Sequence, residues 1–160
     1  MANKAALEKL LWSIALPGLG QLLNHKYVKG ILLLIAEFVV NVMSRFNEVI
    51  LLSFHGQTEE AVNMANYGWL MFYPCLYFFA IWDAYKDAGG GKDIFSFIPF
   101  VSTAYVVTVG VIYSPSFTLF GILFGPVWLP ILFVIPGLLL GLLVRILLVK
   151  MIHNRQRSNT

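Results

Sequence analysis

Four polar residues interrupt an otherwise apolar stretch at a spacing that can carry chemistry. Glu37, Asn41, Ser44 and Glu48 stand 4, 3 and 4 residues apart. On a helix turning about 100° per residue they lie within about 60° of one another. Arg45 borders the same face. A polar stripe facing lipid is costly, so it is expected to face a bundle interior, a water-filled cavity or a partner helix. Its functional reading is an ion or substrate pathway, or a face that binds a partner. Its structural reading is local: Glu37 neutral or hydrogen-bonded, Arg45 paired with Glu48 one turn away, and the outer half already at the interface. Glu37 is the sharpest member. It would lie about 10 Å inside the span, deep enough that an unpaired carboxylate is expensive.

A second cluster brackets two apolar segments. Gln21, Asn24, His25, Lys26 and Lys29 precede the first, and Asp83, Lys86 and Asp87 close the second. In Trp82-Asp83-Ala84-Tyr85-Lys86 a carboxylate sits just inside an aromatic-marked helix end. Asp83 is expected to pair with Lys26 or Lys29, fastening the N-terminal element to the bundle; a simple helix-end anchor is the alternative. Gly89-Gly90-Gly91 reads as a flexible loop without the Gly-Lys-Ser/Thr ending of a phosphate loop. Two GxxxG patterns, Gly121 to Gly125 and Gly137 to Gly141, provide small surfaces for close helix approach. The pair Gly137 and Gly141 suits either packing within the chain or contact with a partner.

Enzyme signatures are missing from the sequence. There is no Gly-x-Ser-x-Gly elbow, no His-Glu-x-x-His and no Ser/His/Asp set at one depth. Cys75 is alone, so it forms no intrachain disulfide, and it reads as a small buried hydrophobe. His25, His55 and His153 are too dispersed for a zinc site, and neither metal nor cofactor is expected. The net charge of +3 does not form a basic stripe with stacking aromatics, so nucleic acid is not an expected partner.

The elements that must position these residues follow from composition. Of 160 residues, 59% are hydrophobic and 12% charged, where a water-soluble domain carries about 25% charged residues. Lipid is therefore the expected solvent. The expected architecture is an all-α integral membrane protein in a single domain, with spans at about 28–50, 67–85, 94–113 and 126–149. Residues 10–23, broken by Pro17, Gly18 and Gly20, are too short to cross and are expected to form a re-entrant or interfacial helix. Lys4 and Lys9 before them would also suit a signal peptide, but the expected reading is a helix kept in the mature protein. Pro99 should bend the first turns of its helix and free the carbonyl of Phe95. Residues 117–125 are expected as a short outer segment, with Pro126 at a helix start. With both termini cytoplasmic, the outer loops carry Glu59 and Glu60 but no Lys or Arg, and every basic residue except Arg45 lies on or near the inner side.

Leu16-Pro17-Gly18-Leu19-Gly20-Gln21, followed by Asn24, Tyr27, Lys29-Gly30 and later Trp82-Asp83-Ala84-Tyr85, resembles a group of small bacterial membrane proteins related to TM2-domain proteins. A similar Pro-Gly-x-Gly-Gln element opens some extended sugar-transport permeases. The resemblance covers about residues 10–88. It implies a Pro-Gly turn packed beside a helical hairpin, with the Asp near the cytoplasmic end, and implies no particular chemistry. The rest lacks the Glu-Ala-Ala coupling loop of such permeases. The expected function is therefore that of a non-enzymatic, multi-pass protein of the bacterial cytoplasmic membrane. It would act as an accessory or assembly subunit, in contact with lipid and with another membrane protein or itself. The alternative is a small homo-oligomeric transporter or channel built around Glu37. A lipid-modifying activity at Asp83 and His25 is a third reading.

Overall fold

The computed structural model describes residues 2–158, except for the side chains of residues 2, 3 and 155–158. Among the described residues the fold is all-helical apart from one short β-ladder. The chain begins with α1 (Ala2–Ala15). Pro17 disfavours a helical residue before it, and Gly18 takes a left-handed φ of 101°, so the chain reverses into α2 (Leu19–Leu23). Then come α3 (Tyr27–Ser44), α4 (Phe46–Phe54), α5 (Thr58–Met64) and α6 (Tyr67–Leu70). The chain continues through α7 (Phe72–Asp87), α8 (Ile98–Tyr113), β1 (Thr118–Leu119), β2 (Ile122–Leu123) and α9 (Gly125–Ser158).

Several boundaries differ from the sequence expectation, each for a local reason. The N-terminal helix starts at Ala2 rather than residue 10, because Ala5, Ala6 and Leu7 continue a favourable helical run. The helix expected over 28–50 stops at Ser44. Arg45 adopts φ 59°, and its amide bonds to the Val42 carbonyl at 3.1 Å, closing the turn before α4 starts in a new direction. The 67–85 helix is interrupted at Met71, where Pro74 withholds the amide that the Leu70 carbonyl would otherwise receive. Residues 94–97 form turns, so Pro99 falls in the first turn of α8, where a missing amide costs little, and the Phe95 carbonyl accepts from Ile98 at 3.2 Å. The outer segment is a hairpin: Phe120 and Gly121 both have positive φ, as a two-residue hairpin turn of primed type requires, and Thr118 pairs with Leu123. Cys75 is exposed on the outer surface of α7 beside Thr108, not buried.

α8 and α9 form the most extensive helix pair, running antiparallel along their lengths. α7 lies between α8 and α1, and α2 fits into the angle between α3 and α7. α4 and α5 cover the start of α9 around a cluster of Val49, Ala61 and Val127. There the Phe54 ring lies 4.8 Å from Trp128 at a tilt of 44°, and the Trp128 indole donates to the Ser53 carbonyl at 3.2 Å. Two helices, Tyr27–Ser44 and Gly125–Asn154, are long and apolar enough to cross a membrane, and Ile98–Tyr113 is a shorter apolar helix. Their outer surfaces are apolar: Val28, Phe38, Ile135 and Leu139 are 74%, 69%, 65% and 61% exposed.

Candidate functional site

The polar residues collect at two ends and one interior point. At the first end, α1 enters beside α7 in the opposite direction, reverses at Pro17 and Gly18, and returns as α2. Each member of Pro-Gly-x-Gly-Gln has a job in this reversal. Pro17 ends α1. Gly18 leaves room for the Gly30 carbonyl, which a Cβ would meet at 2.6 Å. Gly20 lies where α1, α2 and α7 converge. Gln21 is fully buried and donates through Nε2 to the Ala80 carbonyl at 2.8 Å and to the Asp83 carboxylate at 3.1 Å.

Asp83 is the hub of this end. Lys29, rather than Lys26, donates to Asp83 at 2.8 Å and to Asp87 at 3.1 Å. Asn24 donates to the Ala84 carbonyl at 2.8 Å, so α2, its following turn and α3 are all fastened to the last two turns of α7. The Lys29 side chain is 50% exposed and Asp83 14%. Screening at the exposed ammonium keeps the pair to about 1 kcal/mol, so the buried amide of Gln21 sets more of the geometry than the ion pair does. His25 lies 3.1 Å from the Tyr27 hydroxyl through Nδ1 and is engaged there. The arrangement is that of a clamp.

The expected stripe is divided. Glu37 and Ser44 are buried, Asn41 is half-buried, and the left-handed Arg45 redirects the chain before Glu48. Arg45 and Glu48 form an exposed ion pair at 3.2 Å, and Asn41 donates to Asn47 at 3.2 Å. Asn41, Arg45 and Glu48 of the stripe, with Asn47, therefore serve the α3–α4 corner, and the corner is further held by the Asn66 amide on the Ser44 carbonyl at 3.2 Å. Glu37 is different. It is 7% exposed, and its Oε2 has no hydrogen-bond partner among the described residues. The Tyr73 hydroxyl is the polar group set against it, with Tyr77 one turn further along α7. Tyr73 and Tyr77 also line an apolar cavity of about 280 Å³ whose other walls include Leu70, Val107, Val127 and Pro130. These tyrosines are not among the residues that the sequence singles out. Their signal was a four-residue spacing of hydroxyls inside an apolar helix, masked by the aromatics around them.

Gly137 and Gly141 are taken up within the chain. A Cβ on Gly137 would meet the Thr103 Cα at 2.8 Å, and one on Gly141 would meet the Pro99 Cα at 2.5 Å. The pair is therefore the seam of the α8–α9 packing, not a surface offered to a partner. Thr103 is buried at this seam and donates to the Pro99 carbonyl at 2.6 Å. Beyond it, Arg145 of α9 pairs with Asp93 at 2.6 Å, a tie between the α7–α8 loop and α9 that the sequence analysis did not single out.

No group of three or more His, Cys, Asp or Glu residues suited to hold a metal occurs among the described residues. No protein-family model, curated protein or solved structure matches the chain.

Proposed function

We propose that the chain is a non-enzymatic, multi-pass protein of a bacterial cytoplasmic membrane that serves as an accessory or assembly subunit of a larger membrane complex. In this reading α3, α6 with α7, α8 and α9 are four spans, and α1 with α2 is a re-entrant hairpin. Both termini lie on the basic side. Several features support it. Exposed apolar residues cover the outer faces of α3 and α9, a surface that lipid tolerates and water does not. Residues 67–87 measure about 31 Å as a nearly continuous helix, close to the roughly 30 Å hydrocarbon core. The apex of the α1–α2 reversal lies alongside Leu34, inside α3, rather than at its end.

One observation carries the subunit reading. Past Arg145, α9 continues for about three further turns, leaving Ile146, Leu147, Val149, Met151 and Ile152 exposed. With Lys150 among them, this arm is apolar and basic, and it suits an apolar groove with an acidic rim on a second membrane protein. A photo-crosslinking residue at Leu147 or Met151, in cells at native expression, is expected to capture one heterologous membrane protein reproducibly. The same probe at Phe120 on the hairpin, at the opposite end of α9, should not capture that protein. Self-adducts alone would overturn the subunit reading.

A second reading rests on Glu37. A buried carboxylate oxygen without a partner, facing tyrosines that border an apolar cavity, is the arrangement of a proton-linked carrier or channel working as a homo-oligomer. For this reading Glu37→Gln should abolish proton flux, followed with an enclosed pH-sensitive dye in proteoliposomes, while the helical content stays unchanged. Flux equal to that of the parent protein removes Glu37 from any such role.

A further inference from the structure

The largest cavity described, about 670 Å³, is not part of the Asp83 clamp or the Glu37 cluster. It opens at the basic end between α1, the α7–α8 loop and α9. Its charged lining is Lys4, Lys92, Arg145 and Asp93, three cations to one carboxylate. Asp93 is already bound by Arg145, so the unspent charge is positive. Deeper in, the lining changes character: Leu7 and Leu10 of α1 face Phe100 of α8 and Leu138 and Leu142 of α9.

The glycine loop is a firm wall of this cavity. The Gly90 amide bonds to the Tyr85 carbonyl at 3.0 Å, and Ser96 donates to the carbonyls of Gly91 and Asp93 at 2.8 and 2.6 Å. A Cβ on Gly90 would meet the Tyr85 ring at 2.5 Å, and one on Gly91 the Trp82 ring at 2.6 Å. Gly90 and Gly91 thus let the backbone lie flat against two aromatic rings. The same rings place this wall at the level expected of interfacial aromatics.

A cationic mouth at the headgroup level above an apolar cleft matches an amphiphile with an anionic head. We infer that this cavity binds an anionic phospholipid, its phosphate held by Lys4 and Lys92, the cations that Asp93 leaves free, and one acyl chain lying along Leu10, Leu138 and Leu142. The inference rests on the membrane placement proposed above, but not on the subunit role. The phosphate chemistry is shared by a free phosphate ion, which the apolar floor would not serve.

The test is native mass spectrometry of the full chain, delipidated in neutral detergent and titrated with phosphatidylglycerol, with phosphatidylcholine, and with inorganic phosphate. One phosphatidylglycerol per chain is expected to bind about tenfold more tightly than phosphatidylcholine, and inorganic phosphate should not displace it, the scale being set by basic side chains near an anionic headgroup. Lys4→Gln with Lys92→Gln leaves the Arg145–Asp93 pair intact and should erase the preference. Lys26→Gln, outside the cavity, should leave it unchanged. Equal binding of the two lipids, or a preference that survives the double substitution, overturns the site. Displacement by inorganic phosphate would assign it to the free ion instead. A chain that stays dispersed without detergent would overturn the membrane placement itself, whatever the lipid result.

Discussion

Gly141→Leu is expected to pull α8 and α9 apart and leave the protein poorly folded, rather than merely to detach a partner. The contact is backbone to backbone: a Cβ at 141 would lie 2.5 Å from the Pro99 Cα and 3.0 Å from the Ser102 Cβ. Neither atom is the end of a flexible side chain, so relief requires moving a helix. Forcing bulk into a tight contact costs about 1–3 kcal/mol where side chains can adjust, and this site sits at the upper end or above it. The displacement also opens the Gly137 contact one turn away and strains the Arg145–Asp93 tie. Thermal unfolding in detergent, followed by helical signal, should shift down by many degrees. Leu139→Ala, at a position 61% exposed on the same helix, should shift it little. A Gly141→Leu protein of unchanged stability would show that this glycine does not form the α8–α9 seam.

Gly20→Leu should have a comparable effect at the other end of the chain, confined to the N-terminal hairpin. The new Cβ would collide with the Ser13 Oγ and meet the Lys9 carbonyl at 2.5 Å and the Ala84 Cβ at 2.6 Å, so α1, α2 and α7 cannot all stay in place. As α2 shifts, Gln21 loses its bonds to Ala80 and Asp83. An unpaired buried amide adds about 1–3 kcal/mol to the steric cost. With Cys75 replaced by serine and a cysteine introduced at Ala6, which is fully buried, thiol labelling should be slow in the parent and fast with Gly20→Leu. The helical signal of the rest should persist, because α8 and α9 pack independently of this corner. Continued protection of position 6 would show that α1 and α2 are not held at Gly20.

Gly20 and Gly141 both stand openly in the sequence, yet the elements around them differ in how far they can be read from it. Pro17 and Gly18 announce a break wherever they stand, because proline restricts its own and the preceding backbone and glycine alone enters the left-handed region at no steric cost. The reversal between α1 and α2 was legible for that reason. Arg45 was not: an arginine at φ 59° carries no such signature, and the apolar, helix-compatible run through 45–54 predicted continuation. GxxxG at 137–141 advertised a smooth surface without saying who covers it. A helix 38 or so residues earlier in the chain and a second protein would both fit a strip of small residues.

Local and one-dimensional properties were therefore the sequence's to determine. They are the apolarity of α3 and α9, the helix start at Pro126, and the concentration of basic residues at one end and of Glu59 and Glu60 at the other. Tertiary structure decided the pairings: Lys29 rather than Lys26 on Asp83, Arg145 on Asp93, and α8 over Gly137 and Gly141. The physical reason is range. Helix starts and breaks depend on backbone torsions a few residues long, whereas each pairing joins positions dozens of residues apart, and its partner is fixed only when several helices pack at once around the same residue.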